Sequence, residues 1–218
     1  MPAPSLDDPS TPPTAVAQLA AAEIARRTGV ERHEIALTLG SGWGRAAERL
    51  GEVVARIPAE EVPGFSASGI PGHSGTLTSI RLESGLHALV IGARTHFYEG
   101  KGVRRVVHSV RTAAQSGARV MVLTNGAGGI DRAWTPGTAV LMADHINLTA
   151  MSPLEGATFI DMTDLYAGRL RSLAREVDPS LDEGVYVQFR GPQFETPAEV
   201  SMAKAMGGTI VGLSLIHI

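Results

Sequence analysis

The chain has 218 residues, 44% of them apolar, and a formal net charge of −3. That is enough apolar material for a full core, and the charge argues against a nucleic-acid binder that relies on a bulk positive field. There is no cysteine, which excludes disulfides, thiolate nucleophiles and thiolate metal sites. No stretch approaches 18 continuous apolar residues, and MPAPSLDDPS has neither a basic nor an apolar signal region. A soluble cytoplasmic protein without a membrane span is expected.

Residues 1–13 hold five prolines and little that is apolar, so they are expected to form a disordered lead. Residues 14–218 read as one domain. TAVAQLAAAEIARRTG has helical spacing, with Thr14 as the expected cap and Gly29 as the stop. EIALTLG, residues 34–40, is strand-like and runs into GSGWG. TLTSIRL and HALVIGA are two further strands. VRRVVHSVRTAAQSG predicts one helix ending at Gly117. ARVMVLTN is a buried strand entering GAGG, and GTAVLMADHINL is another strand. MTDLYAGRLRSLAREV predicts an amphipathic helix, and GVYVQFRGPQFE a strand followed by a loop. TPAEVSMAKAMG has a Thr-x-x-Glu box, Thr196 to Glu199, with Pro197 at the first helical position. GTIVGLS is a last strand. Strands and helices intermix with short connections, which predicts an α/β domain with a mostly parallel sheet.

The polar motifs gather at strand ends, where ligand crevices of open α/β sheets lie. GSGWG can turn backbone N–H groups and the Ser41 hydroxyl toward an anion, or can be a plain tight turn. It is not a dinucleotide fingerprint, because Arg45 takes the last glycine position; Asp131 does the same after GAGG. Lys101 follows Gly100, but Gly102 and Thr95 break the P-loop pattern. GHSG places His73 in a glycine-flanked loop, where it is a ligand contact or a surface histidine. GARTHFYEG is richer. If it is extended, Arg94, His96 and Tyr98 share one side and Glu99 takes the other. Arg94 offers a donor fork suited to phosphate, His96 donates beside it, and Tyr98 suits a sugar. Glu99 would orient a neighbouring histidine. A half-buried ion-pair cluster is the competing reading.

TNGAGG, with Asn125, Gly126, Ala127 and Gly128, lets a planar ligand approach the backbone closely. DHINL lacks the spacing of a metal site and reads as a polar network tying loops together. GPQFET offers Phe194 to stack on a base and Glu195 to accept from ring N–H and amino groups. Alternatively, Glu195 is a capping carboxylate at a helix start.

The joint order of GSGWG, GHSG, ARTHFYEG, TNGAGG, DHINL and GPQFETPAE, from about Val16 to Ser214, resembles purine nucleoside phosphorylases of the trimeric type. The resemblance implies a single α/β domain with a central mixed sheet flanked by helices, and a homotrimer. It implies phosphate-dependent cleavage of purine nucleosides to free base and (deoxy)ribose 1-phosphate, with phosphate as co-substrate and no cofactor or metal. Phosphate contacts would come from Ser41, Arg94, His96, Gly126 and Ser214, with His73 guarding that side, paired with Glu99. Tyr98, Asn125, Ala127, Gly128, Tyr186 and Leu213 would line sugar and base. Phe194 and Glu195 would hold the purine, His96 and Glu195 would carry the catalysis, and Phe159 would reach a neighbouring subunit. Phe-Glu-Thr at 194–196 favours 6-oxopurines; the related methylthioadenosine phosphorylases carry Ser in place of Glu195. An inactive phosphate- or purine-binding fragment and a glycoside hydrolase using Glu99 and Glu195 are the other readings. Two departures stand out. Leu213 replaces a common Met, and LIHI stands where a Thr-Val-Pro-Glu-type helix start belongs. The domain is therefore expected to lack its C-terminal part, including purine N7 and 5′-hydroxyl contacts.

Overall fold

The computed structural model of the chain describes residues 4–40, 42–66 and 75–214. Its strands form two hydrogen-bonded sheets, one in a unit ending at Gly126 and one in a unit starting at Ala127.

In the first unit, helix α1 spans Pro13–Thr28. Ala17, Ala20, Ala21, Ile24 and Thr28 bury one stripe at helical spacing. Gly29 closes the helix at φ 69° and its N–H donates to the Ala25 carbonyl. Arg26 and Arg27 in the last turn complement the helix dipole. The expected Thr14 cap is not used, because Pro13 already occupies the first helical position, where its missing N–H costs nothing. The lead also departs from expectation. Leu6 is buried, Arg104 donates to the carbonyls of Asp8, Pro9 and Thr11, and Arg105 pairs with Asp7 at 2.5 Å. From residue 4 onward the lead is therefore an anchored strap.

The first sheet runs β2-β3-β4-β1-β5, with β1 Ile35–Thr38, β2 Glu52–Pro58, β3 Thr76–Arg81, β4 His87–Ile91 and β5 Val120–Leu123. β1 is parallel to β4 and β5, while β2 and β3 add antiparallel pairs. The sheet is thus mixed. β2 escaped the sequence reading because Val54, 41% exposed, puts an apolar residue on its outward face and blurs the alternation of residue types. Helix α2 covers Val103–Val106 and α3 covers His108–Gln115, with a single-residue step at Val107 in place of one continuous helix. On one sheet face Ala36, Leu77, Leu89 and Ile91 pack with Ala20, Ile24 and Ala113. On the other, Leu39, Ile80 and Val90 pack with Ala46, Ala47, Leu50 and Val53.

The second sheet runs β6-β9-β8-β7, with β6 Gly128–Gly129, β7 Val140–Asn147, β8 Asp182–Gln188 and β9 Ile210–Gly212. β7, β8 and β9 are parallel, and β6 is antiparallel to β9. Helix α4 spans Gly168–Val177, starting later than the pattern suggests because the Asp164 carboxylate takes the Gly168 N–H at 2.9 Å. Helix α5 spans Pro197–Ala205. Val187, Ala203 and Val211 form the core with Ile130, Ile146, Leu148 and Phe189. The α/β class, with mixed sheets flanked by helices, is as expected. No helix among the described residues is long and apolar enough to cross a membrane.

His33 is 1% exposed, and its ring meets the Ser79 hydroxyl at 2.8 Å. Burial first, and the neighbouring His87 second, push its pKa from 6.5 down to about 4. A folded-state pKa below the unfolded one means the unfolded chain binds more protons in that range. The stability contribution is therefore present above about pH 6.5 and is lost as pH falls toward about 4. Urea midpoints measured across this window should fall, and His33→Gln should flatten the decline. An unchanged slope would remove His33 as a contributor.

Candidate active site

Thr38, Ile91 and Leu123 stand in register across β4, β1 and β5, so the chain leaves all three strands at one level. β1 delivers Gly40 and Gly42, β4 delivers Gly92, Arg94 and His96, and β5 delivers Thr124, Asn125 and Gly126. Two of these loops touch. The Gly40 N–H donates to the Thr124 hydroxyl at 3.0 Å, and the Thr124 N–H donates to the Thr38 carbonyl at 3.0 Å. A Cβ at Gly40 would lie 2.2 Å from the Thr124 carbonyl oxygen, so only glycine fits.

Arg94 and His96 are buried, at 6% and 7% exposure. The extended alternation expected for this motif stops at His96, because Phe97–Glu99 forms a 3-10 turn. Three residues per turn bring Glu99 back over His96 instead of pointing it away. Glu99 Oε1 accepts from the His96 backbone N–H at 2.6 Å and from His96 Nδ1 at 3.2 Å. Glu99 Oε2 pairs with Lys101 Nζ at 3.0 Å. Among the described residues Glu99 thus serves His96 and Lys101; His73, its expected partner, and Ser41 lie outside the described residues. Burial pushes the Glu99 carboxyl up. The His96 backbone N–H, Lys101 and the His96 ring outweigh this and hold it below its ordinary value. A carboxylate only accepts, so Nδ1 carries a proton. The Tyr98 ring stacks on His96, centroids 4.9 Å apart and planes 19° apart. Burial raises the Tyr98 hydroxyl and Arg94 opposes this, so the phenol stays protonated.

Beside this edge a cavity of about 650 Å³ has an apolar floor of Leu39, Ile80 and Val90 and touches Gly40, Gly42 and Gly92. Arg94, His96 and Tyr98 do not line it, so the cluster of charged and aromatic groups, and not this hollow, marks the chemistry.

The second unit repeats the level edge: Asn147, Gln188 and Gly212 align across β7, β8 and β9. GPQFET follows β8. Thr196 Oγ1 accepts the Glu199 N–H at 3.3 Å, and Glu199 Oε2 accepts the Thr196 N–H at 2.7 Å, completing the capping box. The helix start is therefore served by Glu199. Glu195 Oε1 is buried and has no hydrogen-bond partner among the described residues. Phe194, next to it, is 84% exposed.

Ala127 and Gly128 are exposed, and Gly128 is drawn into β6. Ser214 is buried and Leu213 half-buried. Tyr186 is fully buried and presents no surface to a ligand; a Cβ at Gly212 would lie 2.2 Å from its hydroxyl. DHINL does tie loops together. His145 Nδ1 meets the Tyr166 hydroxyl at 3.0 Å, and Asn147 bonds Thr149 and the Met151 carbonyl. Phe159 is 94% exposed. Among the described residues no group of three or more His, Asp or Glu could hold a metal ion. Sequence reasoning missed the roles of Lys101 and Gly212. For Lys101 the available signal was its flanking glycines, Gly100 at φ 72° and Gly102 at φ 81°, which fold the side chain back.

Residues 34–218 match the Phosphorylase superfamily. The purine nucleoside phosphorylase of Cellulomonas sp is 61% identical over 97% of this chain and 76% of its own length. That of Mycobacterium tuberculosis is 48% identical over 96% of this chain and 78% of its own. A crystal structure of a purine nucleoside phosphorylase with ribose 1-phosphate superposes with a TM-score of 0.82 at 32% identity, covering 92% of this chain and 79% of that one. The Schistosoma mansoni enzyme in complex with inosine gives 0.81 at 31%, covering 92% and 75%. By motif order, fold and these identities, the chain belongs to the phosphorylase superfamily and, within it, to the purine nucleoside phosphorylases.

Proposed function

We propose that this protein uses phosphate to cleave the N-glycosidic bond of 6-oxopurine ribonucleosides and deoxyribonucleosides such as inosine and guanosine. A phosphate oxygen attacks the anomeric carbon, the C1′–N9 bond breaks, and its electron pair passes into the purine. The products are free base and (deoxy)ribose 1-phosphate. No covalent enzyme nucleophile and no cofactor is needed, because phosphate itself is the nucleophile and co-substrate. The observation that carries the reading is the level edge of β4, β1 and β5, where buried Arg94 and His96 rise beside the Gly40 and Thr124 loops. A buried guanidinium and imidazole beside glycine loops suit a phosphate dianion held near a reacting carbon.

Arg94, His96, Ser41, the Gly126 backbone and Ser214 hold the phosphate, with His73 guarding that side. Tyr98 meets sugar or phosphate, and Asn125, Ala127, Gly128 and Leu213 line sugar and base. Phe194 stacks on the purine. The buried, unpartnered Glu195 Oε1 supports an acceptor for purine N1–H and amino hydrogens. A homotrimer acting in cytoplasmic purine salvage fits this chemistry. Supporting it, Met151, Phe159, Ile160, Met162 and Leu165 are exposed along one loop, as residues awaiting a second subunit would be.

The full-length protein should consume inosine only when phosphate is present, and methylthioadenosine should be a poor substrate. Phosphate-independent hydrolysis, or no turnover at all, would overturn the reading. Preferred turnover of methylthioadenosine would assign the related phosphorylase.

Arg94→Ala should raise the phosphate KM more than the nucleoside KM. A hydrogen bond to a charged group is worth about 1.5–3 kcal/mol, roughly a 10- to 150-fold loss. An unchanged phosphate KM would take Arg94 out of the site.

Glu195→Gln should lower kcat/KM for inosine by a comparable amount, because an amide mispaired with ring N–H costs about 1–3 kcal/mol. Unaltered turnover would return Glu195 to a structural role.

A further inference from the structure

Lys101 is one of only two lysines in the chain, and no reading of the motifs gave it a task. Its place is specific. Gly100 and Gly102 both take positive φ and fold the backbone so that Lys101 Nζ returns to Glu99 Oε2 at 3.0 Å. Nζ also lies 3.5 Å from the Ser66 hydroxyl. The Glu99 side chain is only 13% exposed, and its second oxygen is committed to the His96 backbone N–H and Nδ1. One carboxylate therefore joins an ammonium on one oxygen to an imidazole on the other.

We propose that Lys101 is a positioning residue for phosphate: it fixes the Glu99 carboxylate, which in turn fixes the backbone and ring of His96. The proposal rests on the phosphorylase reading above. A half-buried carboxylate that loses its cation regains solvation by rotating outward. That rotation takes Oε1 from the His96 backbone N–H and from Nδ1, and the imidazole loses the contact that fixes its plane. Tyr98 stacks on the His96 ring, a contact that does not hold Nδ1. The effect belongs to phosphate, because His96 is the member of this chain of contacts that the reading above assigns to phosphate.

The test uses the full-length protein with Lys101→Met, Lys101→Arg, Glu99→Gln and the Lys101→Met/Glu99→Gln double variant. Phosphate KM and inosine KM are measured separately. Lys101→Met should raise phosphate KM by about three- to ten-fold, the scale of a half-exposed ion pair, and leave inosine KM unchanged. Lys101→Arg should restore most of the loss. In the double variant the losses should not add, because both substitutions break one chain of contacts. An unchanged phosphate KM in Lys101→Met overturns the proposal. Additive losses overturn it too, since Lys101 would then act on phosphate without Glu99. A parallel rise of both KM values would show a general structural role and also overturn it. Absence of phosphate-dependent turnover in the unsubstituted protein is a different failure, that of the phosphorylase reading itself.

Discussion

The whole Arg94–His96 edge depends on β1 lying in parallel between β4 and β5 with their ends level. A parallel ladder stops abruptly at its last pair, and the backbone groups beyond it need new partners. Here the loops satisfy one another: Thr124 N–H takes the Thr38 carbonyl, and Gly40 N–H takes the Thr124 hydroxyl. Those bonds are short only because Gly40 lacks a side chain. A single backbone approach thus sets the spacing of two loops, and the third brings its charged groups to the same rim. The sheet acts as a ruler, and the ligand groups are placed by counting residues from its edge.

The charge arrangement at that rim has its own logic. Arg94 is buried and Lys101 is about one-third exposed, while Glu99 joins His96 and Lys101 directly. The shared carboxylate gives the ammonium and the imidazole one partner in common, so neither is placed independently of the other.

Most of this was legible from the chain. α1 could be read because Ala17, Ala20, Ala21 and Ile24 repeat at helical spacing, and α5 because Thr196, Pro197 and Glu199 write its start. The β4 run HALVI and its polar sequel were legible because a buried strand must end where charged residues begin. Three things were not. β2 was hidden because Val54 stands on its outward face, so residue type does not follow its alternating burial. The turn at Phe97–Glu99 was read as extended because no glycine or proline stands inside it, only Gly100 after it. The lead at residues 4–12 looked disordered because proline-rich composition says nothing of distant donors, and its anchors, Arg104 and Arg105, lie about ninety residues away. Local pattern reports local structure, and the anchoring of the lead comes from contacts made across the chain.

The division of labour at the start of α5 has a consequence for how such a site can change over time. Thr196 and Glu199 close the helix end between themselves, and Glu195 stands one residue outside that exchange. Its carboxylate contributes no bond to the cap, so a replacement there leaves the helix start intact. On the function proposed above, base recognition and helix capping are thus carried by different residues a single position apart. A lineage, or a designer, can explore new nucleobases at position 195 while the fold that presents it is held constant, which makes this loop a natural locus of divergence.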